Sequence, residues 1–227
     1  MSFKEFTKSL NKDGAEGELL KTVLISLVTS FLIIGLLYFF KLRYIENFIP
    51  KYGFYLFFIV LSYAIILPSV FHIKAYKEFA CMSGMMVGMT IGMLAGFLIG
   101  YYIGATNGMF WGSVVGMAVG IFLGAWNGKC CGVMGIMEGV MAGLMGGLMG
   151  AMTAVMMLND HLKAAGVIVF VINAAISIGL NYMIHKEMKG VERENKQDIF
   201  LVILLSLILT AITIWFMVFG PRSALFN

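Results

Sequence analysis

Seven stretches of this chain, each roughly 19 residues or longer, are apolar, nearly uncharged and not alternating in polarity, which is the length a helix needs to cross a bilayer core. Hydrocarbon admits only helices or closed barrels, because no water is present to satisfy backbone groups. Without alternation the barrel is excluded. The runs are Thr22–Phe40, Gly53–Phe71, Met82–Ile103, Gly108–Trp126, Cys131–Met157, Ala164–Ile184 and Ile199–Phe219. Composition agrees: 60% of the residues are hydrophobic and only 12% are charged, about half the charged share of a soluble domain. The expected fold is an all-α integral membrane protein of about seven transmembrane helices. It divides into a segment at 1–21, spans one and two within 22–80, a Gly/Met-rich core of spans three to five at 81–157, and spans six and seven at 158–227.

The first long run begins only at Thr22 and is too long for a signal h-region, so no cleaved targeting peptide is expected. Before it, Phe3, Phe6 and Leu10 alternate with Lys4, Lys8 and Lys12, the pattern of a short interfacial helix. Pro50 and Pro221 fall at span boundaries, where a missing amide costs little. An odd number of spans places Lys4, Lys8, Lys12, Lys21, Lys74, Lys77, Lys129, Lys186, Lys189, Arg193 and Lys196 on one side of the membrane. Lys41, Arg43, Lys51, Lys163 and Arg222 lie on the other. The cationic excess marks the inner side. The N-terminus is therefore expected in the cytosol and the C-terminus outside. Cys81, Cys130 and Cys131 then sit at cytosolic helix ends, where thiols stay reduced and serve as ligands rather than disulfides. The net charge of +4 leaves no basic face for nucleic acid.

Glycine recurs at every fourth position from Gly84 through Gly88, Gly92, Gly96, Gly100, Gly104, Gly108, Gly112, Gly116, Gly120, Gly124 and Gly128 to Gly132. The phase then slips by one residue and continues as Gly135, Gly139, Gly143 and Gly147. In lipid, helices associate through small residues that let backbones approach. A residue in four advances about 40° per step around a helix, forming a ridge suited to right-handed crossings. Helix packing is thus the expected role of Gly84, Gly88, Gly92, Gly96, Gly112, Gly116, Gly120, Gly139, Gly143 and Gly147. A narrow pore wall is the other reading.

Fifteen of the 19 methionines lie between Cys81 and Met157, a stretch whose only charged residues are Lys129 and Glu138. On span five, at 100° per residue, Met134, Met137, Met141, Met145, Met149, Met152 and Met156 fall within about 60° of one line. The glycines occupy the opposite side. Extrapolated back, Cys130, Cys131 and Glu138 join the methionine face, a line of about 33 Å from Cys130 to Met152. Span three carries a shorter counterpart in Cys81, Met85, Met89 and Met93, and the methionine face of span five is expected to turn toward span three. Thioethers and thiolates suit Cu(I) rather than Zn, Mg or Ca. Neutral thioethers bind such an ion loosely enough for it to move from site to site. A carboxylate inside a span is costly, so Glu138 is a candidate for charge balance or proton coupling. His72 and His185 read as interfacial. Asp160-His161 reads as a polar turn or a docking point for metal, and Asn173 and Asn181 as interhelical hydrogen bonders. No nucleophile–base pair, phosphate loop or dinucleotide fingerprint occurs, so an enzyme is not expected.

The pairs Met85-x-x-x-Met89 and Met141-x-x-x-Met145, beside Gly-x-x-x-Gly packing, resemble the working parts of the Ctr-type copper transporters. Those are trimers of three-span chains that use a Met-x-x-x-Met helix as a Cu(I) filter. The run Gly135–Met157 is also similar to membrane segments of prokaryotic proteins found with cupredoxin-like domains. The resemblance implies a membrane transporter or chaperone for Cu(I), meeting metal donor or acceptor proteins. This chain differs in span number and in holding both motifs in one polypeptide. Two other readings stay open: a non-catalytic scaffold or assembly subunit of a larger membrane complex or homo-oligomer, and a channel for a small neutral solute.

Overall fold

The computed structural model describes residues 15–40, 48–74, 81–187 and 199–221. Seven helices account for them: α1 Ala15–Phe40, α2 Phe48–Lys74, α3 Cys81–Asn107, α4 Met109–Gly128, α5 Gly132–Met156, α6 Leu162–Glu187 and α7 Ile199–Phe219. Each is long and apolar enough to cross a membrane. The expected interfacial helix falls mainly on residues 1–14, which lie outside the described residues. Ala15–Lys21 form the first turns of α1.

The helices form two groups that share α3. On one side, α3, α4 and α5 pack tightly on one another; on the other, α1, α6 and α7 pack around α2, and α2, α6 and α7 meet α3. The second group uses ordinary side chains. Tyr63, Tyr101 and Tyr102 are among its largest fully buried residues, and Phe58 stacks on Tyr102 and meets Phe170 edge-on. Polar residues join these helices at a few points. The Thr29 and Ser206 hydroxyls link α1 to α7 at 3.2 Å. Asn181 Nδ2 donates to Ser69 Oγ at 3.0 Å, joining α6 to α2 as expected of it.

The three-helix core is made of backbone. α3 and α4 are joined by the single residue Gly108, with φ 101° and ψ 171°, a region that only glycine enters freely. Folding about Gly108 lays each later residue on the one equally far before it. An unbroken tetrad therefore sets Gly112 on Gly104, Gly116 on Gly100, Gly120 on Gly96, Gly124 on Gly92 and Gly128 on Gly88. The second hairpin folds instead between Cys131 and Gly132, through the 3-10 turn Lys129–Cys131. That centre is not a glycine, so the phase must slip to keep glycine on glycine. Gly135 meets Gly128, Gly139 meets Gly124, Gly143 meets Gly120 and Gly147 meets Gly116. Gly132 itself leaves the packing ridge and takes φ 68° in the turn, with open space around it.

The result is a stack of three-residue layers, such as Gly96/Gly120/Gly143 and Gly92/Gly124/Gly139. A methyl group on Gly120 would lie 2.9 Å from Gly96 Cα and 3.0 Å from Gly143 Cα. No passage runs between backbones this close, so the glycines are not a pore wall.

The tip of the first hairpin is buried against α7. Asn107 Nδ2 donates to Phe216 O at 2.7 Å, and Thr106 Oγ1 donates to Asn107 Oδ1 at 2.8 Å. Asn107→Leu is expected to cost roughly 1–3 kcal/mol by stranding these groups. A thermal melt of the detergent-solubilised chain measures the loss, and an unchanged midpoint would show that the tip does not hold α7.

Candidate functional site

α5 is split lengthwise by its composition. Gly135, Gly139, Ala142, Gly143, Gly146, Gly147, Gly150, Ala151 and Ala154 are buried against α3 and α4. Met134, Met137, Met141, Met145, Met149, Met152 and Met156 occupy the other side and are each 44–70% exposed. The methionine line from Met134 to Met156 is about 33 Å long at 1.5 Å per residue. The split itself matches the helical angles, but its orientation corrects one expectation. The methionine face of α5 does not turn toward α3. Only a side of glycine and alanine reaches backbone contact, so that side takes both neighbours and the methionines are left facing outward.

Cys131 also departs from the helical extrapolation. α5 begins at Gly132, and Cys131 closes the preceding 3-10 turn with φ −111° and ψ 23°. Its Cβ lies 3.1 Å from where a Cβ on Gly135 would be, over the glycine side of the helix rather than the methionine side. Angles projected at 100° per residue fail here because the positive φ of Gly132 breaks the helix. Cys131 is half-buried. The side chains of Cys81, Cys130 and His72 lie outside the described residues.

Glu138 is the only acidic residue in any of the seven spans and is half-exposed beside Met134, Met137 and Met141. It stands about 9 Å along the helix axis from Gly132. On α3, Met89 and Met93 are exposed and Met85 is half-buried. Met82 and Met86, which the sequence reading passed over, are exposed on the same ridge. Their spacing with Met89 and Met93, three and four residues apart, was the available signal. α3 and α5 run parallel, as Gly92 opposes Gly139 and Gly100 opposes Gly147. The Met93 Cα would lie 3.0 Å from a Cβ on Gly146, at the edge of the α5 glycine side. Two outward methionine ridges thus flank one α3–α5 seam, at neighbouring heights in the membrane.

Past the Met156 end of α5, Asp160 Oδ1 and His161 Nδ1 are 2.6 Å apart and both side chains are exposed. Among the described residues no three His, Cys, Asp or Glu side chains come together as a metal cluster. The donors on offer are thioethers, spaced one helical turn apart along a single helix. Such a column presents two sulfurs per level of ion at most, so fuller coordination needs a second surface against the first. Asn173, expected to bond between helices, instead donates through Nδ2 to Val169 O of its own helix at 2.7 Å. No protein-family model, curated protein or solved structure matches this chain.

Proposed function

We propose that this membrane protein handles a soft monovalent cation as its cargo, with Cu(I) the ion that best fits, along the methionine face of α5. The observation that carries the reading is the unbroken outward line Met134, Met137, Met141, Met145, Met149, Met152 and Met156. It carries the single intramembrane carboxylate, Glu138, on the same face. Thioethers are weak, polarisable donors that prefer Cu(I) and release it readily. Glu138 would offset the ion's charge or carry a coupled proton.

An open face is not yet a path. The ion would travel between this face and a second surface, either another copy of the chain or a partner subunit. The excess of Lys and Arg puts Cys81, Cys130 and Cys131 at the cytosolic end, the N-terminus inside and the C-terminus outside. Reduced thiols there would form the mouth, with Met85, Met89 and Met93 beside it. The test is bound copper per chain, purified under reducing conditions. Wild type is expected to retain copper, and the combination Met141→Leu, Met145→Leu and Cys130→Ser to lose most of it. Equal stoichiometry in the two would overturn the reading.

The same exposure favours one other reading, an assembly subunit whose Gly/Met helices are docking surfaces. It predicts stable co-purification with a larger membrane complex and indifference to metal.

A further inference from the structure

A cavity of about 420 Å³ opens between α3 and α6, beside the α3–α5 seam, where the Met93 and Phe97 backbone meets Gly146 and Gly150. The α3 wall is Met89, Met93 and Phe97 with Thr90; the α6 wall is Ile172 and Ile176 with Asn173. All belong to the interior of spans, so the opening faces hydrocarbon. The volume falls in the range of about 300–1,000 Å³ typical of small-molecule sites, which are mostly apolar with a few placed polar groups.

The placed polar groups here select the occupant. Asn173 lies near the middle of α6. One of its N–H groups is spent on Val169 O, and its Oδ1 and second N–H meet no other described residue. An amide left without partners in hydrocarbon is costly. Thr90 donates to Met86 O at 2.6 Å and keeps its oxygen lone pairs. The site therefore offers one donor and two acceptors at mid-membrane depth and no charge. A phospholipid acyl chain has nothing to give them. A carbonyl or hydroxyl on a neutral ring does, and Phe97 with the Met89 and Met93 thioethers provides the surface on which a flat ring packs. Ile172, Ile176 and Leu94 suit an aliphatic tail leading out to the bilayer.

We propose that this groove binds a neutral, chain-bearing ring lipid of the isoprenoid quinone class, held by Asn173 and Thr90. The groove shares Met89 and Met93 with the proposed metal-handling surface but does not depend on the methionine line of α5.

The test uses the full chain stripped of lipid in detergent micelles, with a decyl-tailed benzoquinone as the probe in equilibrium dialysis. Saturable binding is expected. Ile172→Trp, which fills the groove, should abolish it, and Asn173→Leu should weaken it about ten-fold by removing a hydrogen bond made in hydrocarbon. Ile178→Trp adds the same bulk to an exposed position outside the groove and should leave binding unchanged. Unsaturable uptake, equal in every variant, would overturn the proposal. So would a retained phospholipid that Ile172→Trp displaces and Asn173→Leu does not affect.

Discussion

Gly120→Ala should lower the melting temperature of the solubilised protein by several degrees, and Gly143→Leu should prevent the three-helix core from forming at all. A methyl on Gly120 meets Gly96 Cα at 2.9 Å and Gly143 Cα at 3.0 Å. These are backbone atoms of two different helices, so no rotamer change relieves the contact. Both neighbours must retreat, and each retreat also opens the layers above and below. Overpacking of this kind costs roughly 1–3 kcal/mol for a single methyl, and in a chain of this size each kcal/mol is worth about 2–4 °C. Leucine at Gly143 adds a branched side chain at a point already closed by Gly120 and Ile121 backbone. Gly35→Ala and Gly179→Ala are the matched controls, since a Cβ at either meets nothing within 4 Å. They should be neutral or slightly stabilising, because alanine is the better helix former by about 1 kcal/mol. Thermal melts of the four variants decide the matter. If Gly120→Ala melts no lower than Gly179→Ala, close glycine packing does not hold this core.

Much of that core was legible in the residues alone. Glycine at every fourth position names a packing ridge, and its passage through Gly108 unbroken already encodes the first hairpin's reflection. The slip after Gly132 encodes the second, but only once the turn's centre is known, and periodicity cannot place a turn. Gly132 shows the difficulty. It keeps the tetrad's phase, yet it serves the backbone through φ 68° and packs against nothing. The same break carried Cys131 off the methionine face that the helical wheel assigned to it.

The outward direction of that face was hidden for a different reason. Methionine and glycine are both apolar, and a bilayer accepts either, so hydropathy does not separate a lipid-facing side from a protein-facing one. Size separates them. A helix that must touch two neighbours at backbone distance turns its glycines to both and has only the other side left for methionine. The groove between α3 and α6 was less legible still, since Thr90 and Asn173 come from distant segments that only the fold brings together.

The largest functional effect should come from Met141 and Met145, at the middle of the α5 line. In proteoliposomes loaded under reducing conditions, Met141→Leu with Met145→Leu should reduce Ag(I) or Cu(I) flux on the order of 10–100-fold, since even outer-shell changes at metal sites cost that much. Leucine keeps the volume and the lipid compatibility, so the fold should be unaffected and the melting temperature should move little. Glu138→Gln keeps the shape and removes the charge. If the carboxylate offsets the cation, this change should slow flux while leaving the thioether-bound ion in place. Cysteine in place of Met145 separates the cation reading from its rival. As part of an assembly surface it should cross-link to a neighbouring subunit at the same rate with and without metal. As part of a conduit it should be protected from alkylation by bound Ag(I), because the ion then occupies the sulfur. Flux that survives both leucine changes, joined with metal-indifferent cross-linking, would sink the cation path and leave α5 as a surface for assembly alone.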